Sequence, residues 1–449
     1  VSVEVVYGPP GTGKTSTLLA MMAEAGDPTK IGFLAFTKNA AGEALRRLNL
    51  RTSKTVRTIH SLAYELTGTT RAQIVDHEKL KEFSEIIGYR VTGQSIIEAG
   101  ELTFGDELHT AHQFRVAQCS DRQPDEVDRH FSITYTKWKK QNGYVDYNDL
   151  LLHMVDMDVN CDLDWLFLDE GQDLSELQWR AVEKIMEKTP NVVIAGDDDQ
   201  AIYTWAGADA HGMARFNAPY RVLDQSHRIP RSVHEIAERI AQRMGDRIEK
   251  SYKPKDEDGT VTRYPSFDYL APDLGSDTLV LYRNHSSRSE IEEWLLHHNV
   301  PYSITGLSGA FDDRYANAVR VYQALRRDEE ISKAQQVCLA KAVHPSYRSE
   351  ILGNDFSCIR RNSWEHLIPM PGDRIEYLRS VDLRSRPTFR VSTIHAAKGG
   401  EADHVILYNA MGSKTYENFD DNELRCWYVA VTRAKHKLTI IEGDNPMEL

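Results

Sequence analysis

Eight residues near the start of the chain, Gly8-Pro9-Pro10-Gly11-Thr12-Gly13-Lys14-Thr15, restrict the fold more than any other segment. They follow an apolar run, Val3–Tyr7, and precede Leu18, Leu19, Met21 and Met22 at helical spacing. A strand, a turn of the form G-x-x-x-x-G-K-[ST] and a helix, in that order, build a phosphate cradle. Glycines let backbone N–H groups converge on phosphate oxygens, and the helix N-terminus adds partial positive charge. Gly11, Thr12 and Gly13 supply the backbone of this cradle. Lys14 reaches the β- and γ-phosphates, and the Thr15 hydroxyl ligates Mg²⁺. The bland reading is a glycine-rich turn between a strand and a helix; the full motif and both flanks argue for a nucleoside triphosphate instead.

A second segment, Leu166-Phe-Leu-Asp-Glu-Gly-Gln-Asp173, runs an apolar strand into adjacent carboxylates. Such a pair also arises wherever a strand meets a polar loop. Beside a phosphate cradle it suits a metal–nucleotide site, with one acid holding Mg²⁺ and its neighbour deprotonating water.

The chain carries a net charge of −13, which on its face disfavours nucleic acid. The distribution matters more than the total. Residues 146–200 hold fifteen Asp/Glu against three Lys/Arg, whereas residues 1–60 hold eight Lys/Arg against four Asp/Glu. Charge therefore neither requires nor excludes a DNA partner. No apolar run approaches membrane-spanning length, and no secretory leader pattern opens the chain. Five scattered cysteines (Cys119, Cys161, Cys338, Cys358, Cys426) lack C-x-x-C spacing, which argues against a zinc site or disulfide framework and fits a reducing cytoplasm.

Short β-rich runs recur at Val3–Tyr7, Ile31–Phe36, Trp165–Leu168, Val192–Ala195, Thr278–Tyr282 and His404–Tyr408, with helical patterns between them. Continuous apolar strands alternating with helices predict parallel sheets covered on both faces. From about 66 to 150 the sequence turns charged and helical, a predicted insertion into the first α/β unit. A second irregular stretch, about 345–387, interrupts a later one.

Further blocks fall in order along the chain: Leu-Ala-Phe-Thr-Lys-Asn ending at Asn39, Arg57-Thr-Ile-His-Ser61, AGDDDQAIYTWAGA at 195–208, Asp224-Gln-Ser-His-Arg228, VSTIHAAKGGEADHVIL at 391–407 and LRCWYVAVTRAKHKL at 424–438. Their order and spacing resemble the motif set of superfamily 1 DNA helicases of the UvrD/Rep/PcrA branch. The resemblance implies an α/β fold of two RecA-like parallel-sheet motor domains, 1–218 and 219–449, with the helical insertion in the first and the short one in the second. It implies ATP and Mg²⁺ as cofactors, with Thr15 and Asp169 at the metal, Glu170 as general base and Gln200 as γ-phosphate sensor. Arg228 and Arg433, both from the second domain, are implied as arginine fingers. Ser16 and His227 occupy nucleotide-site positions where the family usually has Arg and Tyr, which leaves base selectivity open. Glu401 matches an acid near the ribose and phosphates.

For DNA, the resemblance implies that Phe36 and Trp205 stack on bases, and that Thr37, Asn39, His60, Arg283 and His395 touch the backbone. Tyr203 reads as packing. The implied activity is ATP-dependent 3′-to-5′ translocation on single-stranded DNA with unwinding of tailed duplex DNA. The alternative is a DNA-stimulated ATPase that translocates or remodels protein–DNA complexes with little unwinding. The expected setting is cytoplasmic, nucleoid-associated or mobile-element encoded, with no membrane partner and unspecified loading or replication and repair proteins. The short second insertion, where the family usually carries a much larger accessory domain, predicts a stripped motor.

Overall fold

A computed structural model describes residues 1–47, 55–94, 102–120, 124–304, 314–384 and 387–449. Residues 95–101 and 121–123 of the first expected insertion, and 385–386 of the second, lie outside them. By packing, the chain divides into two units, Val1–Asp258 with Phe419–Thr432, and Gly259–Asn418 with Arg433–Leu449.

The first unit is built on β1 (Ser2–Tyr7), β2 (Ile31–Ala35), β3 (Val56–Thr58), β4 (Trp165–Asp169), β5 (Asn191–Gly196) and β6 (Tyr220–Val222). They form one sheet in the order β3-β2-β4-β5-β1-β6, every neighbour parallel. The apolar runs are continuous because both faces are covered. Leu34, Leu166, Leu168 and Ile194 enter one core, while Phe33, Phe167, Val193 and Ala195 enter the other with Leu18 and Leu19 of the Lys14–Glu24 helix.

Between β3 and β4 the helices His77–Ile87, Phe104–Ala117 and Glu126–Asn142 carry a core of their own, Phe83, Phe131, Tyr135 and Trp138 among its members. The next helix, Tyr147–Asp156, returns to the sheet through Leu150, Leu151 and Met154. The β6 strand keeps the chain in this sheet beyond residue 219, and the Arg231–Gln242 helix follows within the same unit.

The second unit holds β7 (Thr260–Tyr264), β8 (Thr278–Tyr282), β9 (Tyr302–Ile304), β10 (Phe389–Thr393), β11 (Ala402–Asn409) and β12 (Ala434–Glu442), in the order β7-β12-β11-β8-β10-β9. These pairs too are all parallel. Helices fill the interval between β9 and β10 from Arg314 to Ser380, so the helical stretch starts well ahead of residue 345. Ala316, Val319, Tyr322, Leu339, Ile359 and Leu378 share a single core with Val280, Val391 and Ile406 of the sheet. Both units are RecA-like α/β layers. Among the described residues no helix is long and apolar enough to cross a membrane.

Candidate functional site

In a parallel sheet the loops leaving the carboxyl ends of neighbouring strands gather on one edge, and ligands bind there. In the first unit β4, β5 and β1 are consecutive neighbours, and their registers bring Leu168 opposite Ile194 and Gly196 opposite Tyr7. The Gly8–Thr15 loop, the Asp169-Glu170 pair and the Asp197–Gln200 turn therefore emerge side by side.

The loop is preshaped. Gly11 and Gly13 hold left-handed φ values of 74° and 84°, the second directly capping the Lys14–Glu24 helix. Lys14 Nζ donates to Gly8 O at 2.7 Å, folding the ammonium over the centre of the cradle. Thr12 donates to Pro9 O at 2.7 Å. Ser16 accepts from Arg47 Nη1 at 2.6 Å, so a guanidinium from the Lys38–Arg47 helix stands at this position.

Thr15 Oγ1 donates to Asp169 Oδ2 at 2.6 Å. Asp169 is buried; burial, reinforced by the Glu170 carboxylate, pushes it up to about 6, against the pull of Thr15 and Lys14. A hydroxyl and a buried carboxylate converging on one point form a hard-oxygen donor set, and an environment that penalises the bare carboxylate favours a cation beside it. These residues fit Mg²⁺.

Glu170 follows in the left-handed region at φ 55°, a conformation uncommon for a residue with a Cβ. Its Oε2 accepts from Gln172 Nε2 at 2.5 Å. The Gln172 Oε1 accepts from Asp197 N at 2.9 Å, and the Asp197 carboxylate accepts from Gln200 Nε2 at 2.6 Å. Glu170 and Gln200 thus belong to one hydrogen-bonded chain. Nothing in the sequence singles out Gln172.

The next element corrects an expectation. Arg228 was implied on a second domain, but it lies in the first unit, directly against the phosphate loop. A Cβ on Gly11 would stand 2.4 Å from Arg228 Cβ, so only glycine admits this approach. The physical reason is β6: pairing with β1 turns the following Asp224–Arg228 segment back over the loop. Ser226, fully buried, donates to Pro10 O at 2.8 Å, and His227 N donates to Gly11 O at 2.9 Å. The His227 side chain is exposed. Nothing in the sequence marked Ser226, whose hydroxyl is a clasp and not a reactant.

Three adjacent buried acids, Asp197, Asp198 and Asp199, have oxygens within 4.8 Å of one another. Lys250 fills the point where they converge, with Nζ 2.5 Å from Asp198, 3.1 Å from Asp199 and 3.4 Å from Asp197. Burial opposes charge on Lys250, yet Asp197, Asp199 and Asp198 together hold its pKa above that of an ordinary lysine. Arg247 grips Asp199 with two bonds of 2.8 and 2.6 Å. Arg425, from the Asp421–Val431 helix, donates to Asp198 O at 3.0 Å. This knot fixes the backbone that carries Gln200.

From the same turn the chain continues to Tyr203 and Trp205. Phe36, at the end of β2, lies 5.6 Å from the Tyr203 ring, and Tyr203 lies 6.5 Å from Trp205. All three are half-buried and form an aromatic row. Tyr203, read from sequence as packing, is its middle member. Thr37 is exposed, and its hydroxyl accepts from Ala40 N at 3.1 Å as a helix cap. The side chain of Asn39 lies outside the described residues. His60 meets Tyr147 edge-on at 5.7 Å, and burial lowers its imidazole to about 4, so it is neutral at pH 7.

A family description of the UvrD/REP helicase N-terminal domain matches residues 2–221, and one of the UvrD-like helicase C-terminal domain matches residues 388–441. The chain belongs to the UvrD/Rep/PcrA type of superfamily 1 helicases. It is 23% identical over 240 residues to the ATP-dependent DNA helicase PcrA of Leuconostoc citreum, covering 46% of this chain and 32% of the relative. To DNA helicase II of Haemophilus influenzae it is 27% identical over 216 residues, covering 42% and 30%. To PcrA of Bacillus subtilis it is 24% identical over 250 residues, covering 48% and 34%. The matched stretches span about a third of these relatives' own length.

The remaining positions of this UvrD-type chain lie in the second unit. Arg283 follows β8 and His395 follows β10, two neighbouring strands. Burial, with Arg283 and Lys398 adding to it, lowers His395 to about 3. Glu401 is exposed, and its carbonyl accepts from Arg390 at 2.9 Å. Arg433 is buried at the start of β12 and donates to Gly400 O at 3.2 Å, so the Gly399-Gly400 turn orients it.

Proposed function

We propose that this chain is the motor of an ATP-dependent 3′-to-5′ single-stranded DNA translocase and helicase. The observation that carries the reading is the Asp197–Trp205 segment, which joins the turn bonded to Glu170 through Gln172 to the aromatic row five residues past Gln200. A change at the phosphates has a short covalent and hydrogen-bonded path to a surface suited to bases. Aromatic faces accept any base, at about 1–3 kcal/mol each, which is what a sequence-indifferent motor requires.

In this reading the Gly11–Lys14 backbone and the Lys14 ammonium hold the β- and γ-phosphates of ATP. Thr15 and Asp169 would hold Mg²⁺, which supplies charge neutralisation at the phosphate oxygens. Glu170 takes the proton of the attacking water, Gln200 senses the γ-phosphate, and Arg228 stabilises charge on the equatorial oxygens as the bond to the leaving phosphate opens. Family membership assigns Arg433 the same charge-stabilising role. Phe36, Trp205, Thr37, Asn39, His60, Arg283 and His395 contact the strand. The direction of travel rests on family membership. Single-stranded and tailed duplex DNA are the substrates, and the site of action is cytoplasmic.

ATP hydrolysis measured with and without single-stranded DNA, followed by unwinding of duplexes with a 3′ or a 5′ tail, tests this. DNA-stimulated turnover and unwinding of the 3′-tailed duplex alone are expected. Turnover indifferent to DNA would remove the motor reading; stimulated turnover without unwinding would leave translocation and remove strand separation.

A further inference from the structure

Gln172 lies in the loop after β4, fully buried, with both ends of its amide committed. Its Nε2 donates to Glu170 Oε2 at 2.5 Å, and its Oε1 accepts from Asp197 N at 2.9 Å. Only one amide orientation satisfies these partners: a backbone N–H can only donate, and an ionised carboxylate can only accept. The fit is close, because a Cβ on Gly196 would stand 2.4 Å from Gln172 Oε1. Asp197 in turn accepts from Gln200 Nε2 at 2.6 Å.

Glu170 itself has a strained backbone and a side chain with three rotatable bonds, so its own geometry does not fix its carboxylate. We propose that Gln172 is a positioning residue for hydrolysis, one that holds the Glu170 carboxylate and locks it to the strand-end turn carrying Gln200. The water-activating group and the phosphate-sensing amide are then set as one piece, and a movement of the Asp197 turn repositions both. The inference rests on Glu170 being the base. It assigns Gln172 no contact with substrate; the amide acts through the carboxylate it donates to. Its value to the reaction is geometric, since a misplacement of about 1 Å can cost roughly 10²-fold in rate.

The test uses the full chain with saturating single-stranded DNA and compares Gln172→Glu, Gln172→Leu and Gly196→Ala, with Glu170→Gln beside them. Gln172→Glu keeps the shape and the acceptor for Asp197 N but cannot donate as a carboxylate. Gly196→Ala keeps Gln172 and crowds its amide, together with the flexible Met213 thioether beside it. Both are expected to lower kcat by about 10²-fold while KM for ATP and DNA affinity stay within about twofold. A residue that only packs would instead move thermal stability and leave kcat intact. Wild-type kcat in Gln172→Glu beside an inactive Glu170→Gln overturns the role of Gln172 alone. Wild-type turnover in Glu170→Gln overturns the base assignment and this role with it. Should Gln172→Leu or Gln172→Glu fail to fold, Gly196→Ala decides by the same split of kcat from KM.

Discussion

Thr15 and Asp169, 154 positions apart in the chain, are joined by a hydrogen bond of 2.6 Å. It closes the distance between the first helix and the end of β4, and brings together the two oxygens proposed to hold Mg²⁺. Asp169→Asn keeps the shape but removes the charge that a divalent ion needs. The expected outcome is a loss of turnover together with a higher Mg²⁺ concentration for half-maximal rate, read from ATPase assays across a magnesium titration. An unchanged magnesium dependence takes Asp169 out of the metal site.

The backbone and Cβ of Arg228 stand against the phosphate loop within one unit. Arg228→Ala is expected to reduce saturated turnover by about 10³-fold, with a much smaller change in ATP affinity, because the charge it meets develops in the transition state. Nucleotide-binding titrations beside steady-state kinetics separate the two. Weaker binding with an unchanged saturated rate would make Arg228 a ground-state contact.

The aromatic row makes Trp205→Ala a selective lesion. Losing one stacking surface should weaken single-stranded DNA binding by roughly 5- to 150-fold, as about 1–3 kcal/mol implies, and lower DNA stimulation to match. The DNA-free ATPase rate should hold. Tyr203→Ala should produce a related defect, because Tyr203 lies between Phe36 and Trp205. If both variants unfold and neither has a specific DNA defect, the row is core.

Buried imidazoles set an acid limit on stability. Burial, aided by nearby cations, holds His112 at about 4, His395 at about 3 and His404 at about 4. Unfolded, each titrates near 6.5. Between those values the unfolded chain binds more protons than the folded one, so stability present above about pH 6.5 is lost as pH falls toward 4. The melting temperature should decline from pH 7 to pH 5. His404→Gln, whose amide can keep a bond to Thr439, should flatten that decline; an unchanged slope would show that His404 does not contribute.

What the sequence made legible follows from burial. β2, β4, β5 and β8 read directly as nearly unbroken apolar runs, and β1 and β11 as apolar runs carrying a polar residue, Glu4 and His404. β3, β6 and β9 have three residues each, too few for a pattern, and β7 is half-exposed at the edge of its sheet. The phosphate loop and the acid pair were readable because their chemistry sits in consecutive residues. Gln172, Ser226 and Lys250 were not, since each acts through a partner fixed only by folding. Three successive aspartates after a buried strand do signal a missing countercharge; Lys250 lies about fifty positions downstream, with nothing local to single it out.

The helix Asp421–Val431 belongs to the first unit, although the whole segment Gly259–Asn418 precedes it in the chain. Arg425 donates to Asp198 O and Asp246 O, Trp427 is buried, and Tyr428 reaches Tyr252 at 3.4 Å. On the ribosome, the six strands of that sheet emerge early, but the piece that seals one side is translated far later. At about 5–20 residues per second the delay is on the order of ten seconds. During that interval the apolar bed for Trp427 and Tyr428 is open to chaperones or to a neighbouring nascent chain. For the same reason a gene fragment stopping at Asp258 would yield an unsealed protein. The first unit is completed only after the intervening Gly259–Asn418 segment has been made.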